Sequence, residues 1–214
     1  MDIEKDRTRI LLATLPHVPF DGWSKAALEA GIRDAGVSAD AAVTAFPGGV
    51  GELVTFFSDY TDQRMIDVLA SSNLADMRVR DRIAEAVRVR LDLLAGHREA
   101  LRHVLSFLAL PQNAPLGLKC LYRTVDAMWR AAGDTATDYN FYTKRMLLSG
   151  VYGSTLLYWL DDESADYEDS WAFLDRRIAD VMTIEKTKGR LKGFFDKLPD
   201  PGELLRRCAP RPPV

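Results

Sequence analysis

The chain has 214 residues, 47% of them hydrophobic and 28% charged, and a formal net charge of -3. Those values exclude an intrinsically disordered chain and a generic polyanion binder, which carries a basic excess. The length allows one compact domain or two small ones sharing a core.

Helical periodicity runs nearly throughout, with no convincing run of period-two alternation. Ile3 to Leu15 forms a first amphipathic helix, stopped by Pro16 and Pro19. Ser24 caps a second helix to about Ala35, with Trp23 and Ala27 placed to staple its start and Gly36 to end it. Ser38 opens a short helix, Ala39 to Phe46, closed by Pro47-Gly48-Gly49, and a longer helix follows from about Gly51 to Leu69. Further helices are expected near 79–95, 97–109, 115–131, 136–160 and 167–198, with a break at Pro111 and Pro115 and another at the acidic run 161–166. The Pro-rich tail after Pro199 is expected to fray. The expected organisation is a helix-turn-helix-like unit (1–48), a helical bundle (49–182), an amphipathic segment (183–198) and a tail (199–214).

A first helix, a second ending in Gly, then Val-Ser opening a short third is the layout of a helix-turn-helix. This small unit followed by a larger bundle resembles the architecture of TetR-type regulators. The resemblance implies an all-α fold, a DNA-binding front, and a back bundle that binds a small apolar ligand and forms a homodimer.

The segment in the place of the recognition helix lacks the chemistry to read DNA. Base edges are read by Arg, Lys, Asn, Gln, Ser or Thr, and affinity comes largely from neutralising phosphates. Ala39 to Phe46 carries no Arg, Lys, Asn or Gln, it holds Asp40, and no basic residue follows before Arg64. Lys25 and Arg33 on the preceding helix are too few to compensate. No nucleic-acid partner is therefore expected.

Catalytic signatures are absent too. Glu99 and His103 stand four apart, but one such pair does not make a metal site, and the paired Glu-x-x-His motifs of helical di-iron proteins are missing. The run Pro47 to Gly51 lacks the Lys-Ser/Thr of a phosphate loop. No nucleophile–base constellation stands out, so no catalytic residue, metal or cofactor is assigned. An enzyme using a carboxylate pair would show a strongly raised carboxylate pKa beside a polar cleft. Cys120 and Cys208 have no ligand-like spacing, which fits a reduced cytosolic compartment. The charged start MDIEKDRTRI predicts no secretory signal. No stretch reaches the ~20 apolar residues of a membrane span. The richest run, Met146 to Leu160, is interrupted by Gly150, Gly153 and Ser154.

Two features rise above this background. Trp129, Tyr139, Phe141 and Tyr142 cluster around a helix junction at Gly133, with Lys144 and Arg145 beside them. Such aromatic–Arg groups are enriched at binding hot spots, though Trp129 and Phe141 could equally fill the bundle core. Further on, Ile184, Thr187, Leu191, Phe194, Phe195 and Leu198 share one narrow helical stripe, flanked by Lys186, Arg190 and Lys197 on one side and Lys188 and Lys192 on the other. An apolar stripe between lysines suits an anionic membrane surface; the alternative is a terminal helix docked on its own bundle with snorkelling lysines.

Long irregular motifs now make a second resemblance. They are Gly22 to Leu28, Phe46 to Gly49, Leu108 to Pro115, Met128 to Arg145 and Asp166 to Ile178. On these the chain resembles the coenzyme Q (ubiquinone) biosynthesis accessory family, lipid-binding proteins with a TetR-like fold. The resemblance implies a non-catalytic protein that holds an isoprenoid or quinone intermediate in the back bundle. It would present that lipid to the pathway's di-iron demethoxyubiquinone hydroxylase, at the inner face of the cell membrane. The family's partner patch maps onto Met128, Asp138, Phe141, Tyr142 and Arg145, with Phe141 in place of a more usual Trp. Its membrane-contact helix corresponds in position and character to Lys186, Lys188, Arg190, Leu191, Lys192, Phe194, Phe195 and Leu198. Sequence does not separate pocket-lining positions from other apolar ones. A TetR-type regulator with an apolar ligand is the alternative.

Overall fold

A computed structural model describes the backbone of residues 2–134 and 139–195, and the side chains of residues 2–134 and 142–183. Among the described residues there are ten α-helices and no strand: α1 (Ile3–Thr14), α2 (Val18–Asp21), α3 (Lys25–Ala35), α4 (Ala39–Ala45), α5 (Gly49–Ala70), α6 (Val79–Leu94), α7 (Arg98–Ala109), α8 (Ala114–Ala131), α9 (Tyr139–Asp161) and α10 (Glu168–Phe195). The chain divides into two compact units, Met1–Asp175 and Arg176–Val214. In the second unit Arg177 pairs with Asp180 one helical turn on, at 2.8 Å.

The short front helices are fixed by their ends. Ser24 accepts from the Ala27 N–H at 3.2 Å, and Ser38 from the Ala41 N–H at 3.3 Å. Between them Gly36 closes α3 at φ 62°, a left-handed conformation that a Cβ disfavours. Pro16 and Pro19 do not simply stop the chain: Pro19 lies in the first turn of α2, where no intrahelical N–H is required. Trp23 serves a longer reach than its own helix start. Its ring tilts against Phe57 at 5.3 Å, and its Nε1–H donates to the Ala100 carbonyl of α7 at 2.9 Å.

α1, α3 and α4 pack around Ile10, Leu11, Ala27, Ala41 and Ala45. α1 and α3 approach so closely that a Cβ on Gly31 would lie 2.0 Å from Thr14 Oγ1 and 2.8 Å from its Cα. Arg7 ties this unit to the next helix. Its guanidinium lies over Phe46 and Phe56 at 5.0 and 4.6 Å and pairs with Glu52 at 3.2 Å. Glu52 in turn accepts the Gly48 N–H at 2.8 Å at the start of α5.

α5 is the central helix, packed against α1 and α3 and against α6 and α8. No single described helix is long and apolar enough to cross a membrane. α4 and α5 together reach that length and composition, but they bend by 64° and bury Phe46, Leu53, Phe57, Met65 and Leu69 as core.

The acidic break after α9 is a built corner. Arg98 Nη2 donates to the carbonyls of Trp159, Leu160 and Asp162 at 2.8, 2.6 and 2.9 Å, satisfying the end of α9. Arg102 reaches the Leu160 carbonyl and pairs with Asp161 at 2.8 Å. Asp162 accepts from the amide and hydroxyl of Ser164 and from the amide and hydroxyl of Ser170. Its burial raises the pKa, but these four donors outweigh that and hold the carboxyl at about 2. Thus the 166–178 motif begins as a structural corner: Asp166 and Tyr167 take positive φ, Trp171 donates to the Asp166 carbonyl, and Ser170 and Leu174 are fully buried.

Candidate functional site

α4 occupies the reading position of the helix-turn-helix, and its outer face is inert. Ala41, Ala42 and Ala45 are buried, while Asp40, Val43 and Thr44 face out. Val43 is 69% exposed, and Thr44 Oγ1 donates to the Asp40 carbonyl of its own helix. The outward residues therefore present a carboxylate, an isopropyl group and an engaged hydroxyl. None of them is a base-reading donor, and no basic side chain accompanies them.

Helices α5, α6, α7, α8 and α9 line a half-open cavity of about 290 Å³. Leu94, Leu101, Leu105, Leu108, Leu121 and Leu156 line it, and Leu157, 60% exposed, stands at its rim. Gly117 and Gly153 also line it. A Cβ on Gly117 would lie 3.3 Å from Leu108, a close approach of α7 and α8, whereas one on Gly153 would meet nothing within 4 Å.

One end of the cavity is polar. Ser58, Arg90, Thr124 and Tyr152 line it there, with Asp62 behind them and not itself on the wall. Arg90 Nε donates to Asp62 at 2.7 Å, Nη1 to the Tyr152 hydroxyl, and Nη2 to Ser58 and Thr124 at 3.2 and 3.3 Å. Thr124 donates to Asp62 at 2.9 Å. Burial opposes the charge on Arg90, but the Tyr152 and Asp62 oxygens outweigh it and push the guanidinium above its ordinary value. Burial pushes the Tyr152 phenol up, and with Asp59 it pushes the Cys120 thiol up as well. Among the described residues no carboxylate lines this cavity, and these three titratable groups all move away from neutral pH. The arrangement can hold an apolar molecule and hydrogen-bond one end of it; it offers no acid–base pair.

Raised carboxylates lie elsewhere. Asp59 is raised chiefly by burial but pairs with Arg123 at 2.9 Å, and Asp92 is raised by burial and by Glu85. Glu99 pairs with Arg102 at 3.3 Å rather than forming a ligand set with His103. Among the described residues, no group of three or more His, Cys, Asp or Glu side chains is placed to hold a metal.

The aromatic–Arg group divides between core and surface. Met128 is fully buried on α8. Arg145 is 2% exposed and donates to Asp126 at 2.6 Å and to Asp134 at 3.3 Å. Lys144 reaches Asp134 at 2.7 Å and lies 5.3 Å from the Trp129 ring centre, while Trp129 Nε1–H donates to the Lys144 carbonyl. Met128 and Arg145 can therefore act on a docking partner only by supporting the residues outside them. Tyr142 is 66% exposed. Asp138 and the Phe141 side chain lie outside the described residues, as do the side chains of Lys186, Lys188, Arg190, Leu191, Lys192, Phe194 and Phe195, and all of Leu198.

A helix-turn-helix unit with a blank outer helix, followed by a bundle with an apolar cavity, defines an all-α protein of TetR-regulator-like fold. The TetR transcriptional regulator from Nitrosomonas europaea ATCC 19718 is similar in structure, with a TM-score of 0.64 over 81% of this chain and 95% of that one, at 22% identity. Residues 114–185 match the COQ9 family. Over 91% of its length the chain is 38% identical to the mitochondrial ubiquinone biosynthesis protein COQ9 of Rattus norvegicus and 36% identical to that of Homo sapiens. The chain is thus similar to COQ9 proteins along most of its length, and the family match falls on its back bundle. It spans 64% and 63% of the length of those two relatives.

Proposed function

We propose that this chain is a non-catalytic lipid-binding accessory protein of ubiquinone biosynthesis. It holds an isoprenoid or quinone intermediate in the cavity and presents it to the di-iron demethoxyubiquinone hydroxylase at a membrane surface. The observation that carries this reading is the cavity itself: leucine-walled, polar at one end, and without a group that titrates near neutral pH. The relatives are named for a pathway and not for a reaction, which fits an accessory role. A volume of about 290 Å³ is at the small end of the ~300–1,000 Å³ of ligand pockets, so one end of a long lipid enters while the rest lies outside.

On this reading Tyr142, Asp138 and Phe141 contact the hydroxylase, and Met128 and Arg145 act from inside the bundle. The lysine-flanked segment 184–198 contacts the membrane surface, and the chain works as a homodimer. The regulator alternative is disfavoured by the outer face of α4.

Native mass spectrometry with lipid extraction tests the reading. Chain purified from quinone-producing cells is expected to carry one prenylated or other apolar lipid. Repeated recovery of lipid-free protein from such cells contradicts it.

A further inference from the structure

The end of α8 is held by more than its own turn. Gly133, at φ 87°, closes the helix: its N–H donates to the Arg130 carbonyl at 3.0 Å, and the Asp134 N–H donates to the Trp129 carbonyl at 2.9 Å. This closure satisfies the carbonyls of Trp129 and Arg130 and does not reach that of Ala132, a residue only 3% exposed. Arg82, in the first turn of α6, supplies the missing donor. Its Nη1 donates to the Ala132 carbonyl at 3.1 Å, while Nη2 and Nε donate to the Ala75 and Met77 carbonyls, each at 3.0 Å. One guanidinium thus joins the loop between α5 and α6 to the end of α8. The joint is tight, since a Cβ on Gly133 would lie 3.3 Å from Arg82 Nη1. A lysine does not reproduce it: a single ammonium lacks the planar fork that spans three carbonyls.

The same joint leads on to α9. Asp134, next to Gly133, pairs with Lys144 at 2.7 Å and with Arg145 at 3.3 Å. Arg145 is buried, but Tyr142, one turn before it, and Met146, next to it, are both exposed. A continuous set of contacts therefore runs from the loop after α5 through Arg82, Ala132, Gly133 and Asp134 to the outward side chains at the start of α9. Its inner members lie too deep to touch a docked protein, so they act on docking only through where they hold Tyr142 and Met146.

We propose that Arg82 is a positioning residue for partner docking: it clamps the end of α8 so that the surface at the start of α9 is in its binding-competent arrangement before the partner arrives. Less ordering is then left to the moment of binding. This rests on the hydroxylase-docking reading and adds to it the residue that sets what fraction of the chain is competent to dock.

Binding of the full chain to immobilised demethoxyubiquinone hydroxylase, followed in real time, tests the proposal. A residue that touches the partner acts mainly on dissociation, whereas one that sets the competent fraction acts on apparent association. Arg82→Lys keeps the charge, so electrostatic steering is unaltered. Its association rate is expected to fall about five- to thirtyfold, the effect of one to two net hydrogen bonds, with dissociation unchanged. Tyr142→Ala is expected to do the reverse. Hydrogen exchange gives a second readout: the Gly133 and Asp134 amides should exchange faster in Arg82→Lys, while the Ile10 and Leu11 amides of α1 keep their protection. A residue that merely stabilised the whole fold would move both sets. Gly133→Ala presses on the same joint with Arg82 intact; it is expected to slow association too, and it decides the matter if Arg82→Lys does not fold. Unchanged association, faster dissociation alone, or unaltered exchange at the junction overturns the inference and leaves the docking reading standing. A wild-type chain that does not bind the hydroxylase overturns both.

Discussion

Arg90 and Asp62 form a buried charged pair beside the cavity. Both sit on largely apolar helix faces: Arg90 among Ile83, Ala86, Val87, Leu91 and Leu94, and Asp62 among Phe57, Met65 and Leu69, with Thr61 beside it. A buried pair of this kind adds little stability as a pair, but breaking it strands a charge. Arg90→Met should therefore lower unfolding stability by about 3–5 kcal/mol in urea, and Arg90→Met with Asp62→Leu should recover most of the loss. A second residue-scale prediction concerns Asp162. Its folded pKa of about 2 lies below the ~3.9 of an unfolded Asp, so the unfolded chain binds the extra proton between those values. The stabilisation is complete above about pH 4 and is lost as pH falls toward 2. Asp162→Asn should flatten the stability profile in that window, as read by urea midpoints against pH; an unchanged slope would show that the corner does not hold the carboxylate ionised.

At the scale of elements, the close crossing of α1 and α3 is the sharpest constraint. In an isolated helix Gly→Ala is favourable by up to ~1 kcal/mol, but at Gly31 the new Cβ meets the Thr14 backbone at 2.8 Å. Gly31→Ala should destabilise by about 1–3 kcal/mol, the range for overpacked sites, in thermal or urea unfolding. That constraint is invisible in sequence, because a helical glycine is the same letter whether or not a backbone lies against it. The helix ends were legible for the opposite reason: Ser24, Gly36 and Ser38 act on their own neighbours. The blank face of α4 was legible as well, since it depends on which residue types are missing. The cavity was not, because Leu101 and Leu105 look in sequence like any other core leucines. Its polar end had left a signal in Arg90 and Asp62, charged residues on the helical stripes of apolar ones. Arg145 shows the converse limit. Its type and aromatic neighbours suggested a surface, yet Asp126 and Asp134 hold it inside.

For the whole molecule, the proposed function sets a ligand bundle in a regulator-like frame whose α4 carries no base-reading side chain on its outer face. The net charge of -3 coexists with Lys186, Lys188, Arg190, Lys192 and Lys197 in one short stretch. If that stretch contacts an anionic surface, replacing Lys188 and Lys192 by Glu should weaken cosedimentation with vesicles containing phosphatidylserine by an order of magnitude or more, at ~1 kcal/mol per basic residue. Binding that is unchanged by charge reversal and by salt would remove the membrane role of the segment. Occupancy of the cavity is tested most directly at Gly153. A side chain there starts in open space on the cavity wall and improves helix propensity, so Gly153→Phe should fill the cavity without unfolding the chain. Native mass spectrometry of both proteins, purified from quinone-producing cells, is predicted to show one apolar lipid on the wild-type chain and none on a folded Gly153→Phe. A lipid-free wild-type chain, or undiminished lipid on the filled variant, would contradict the account.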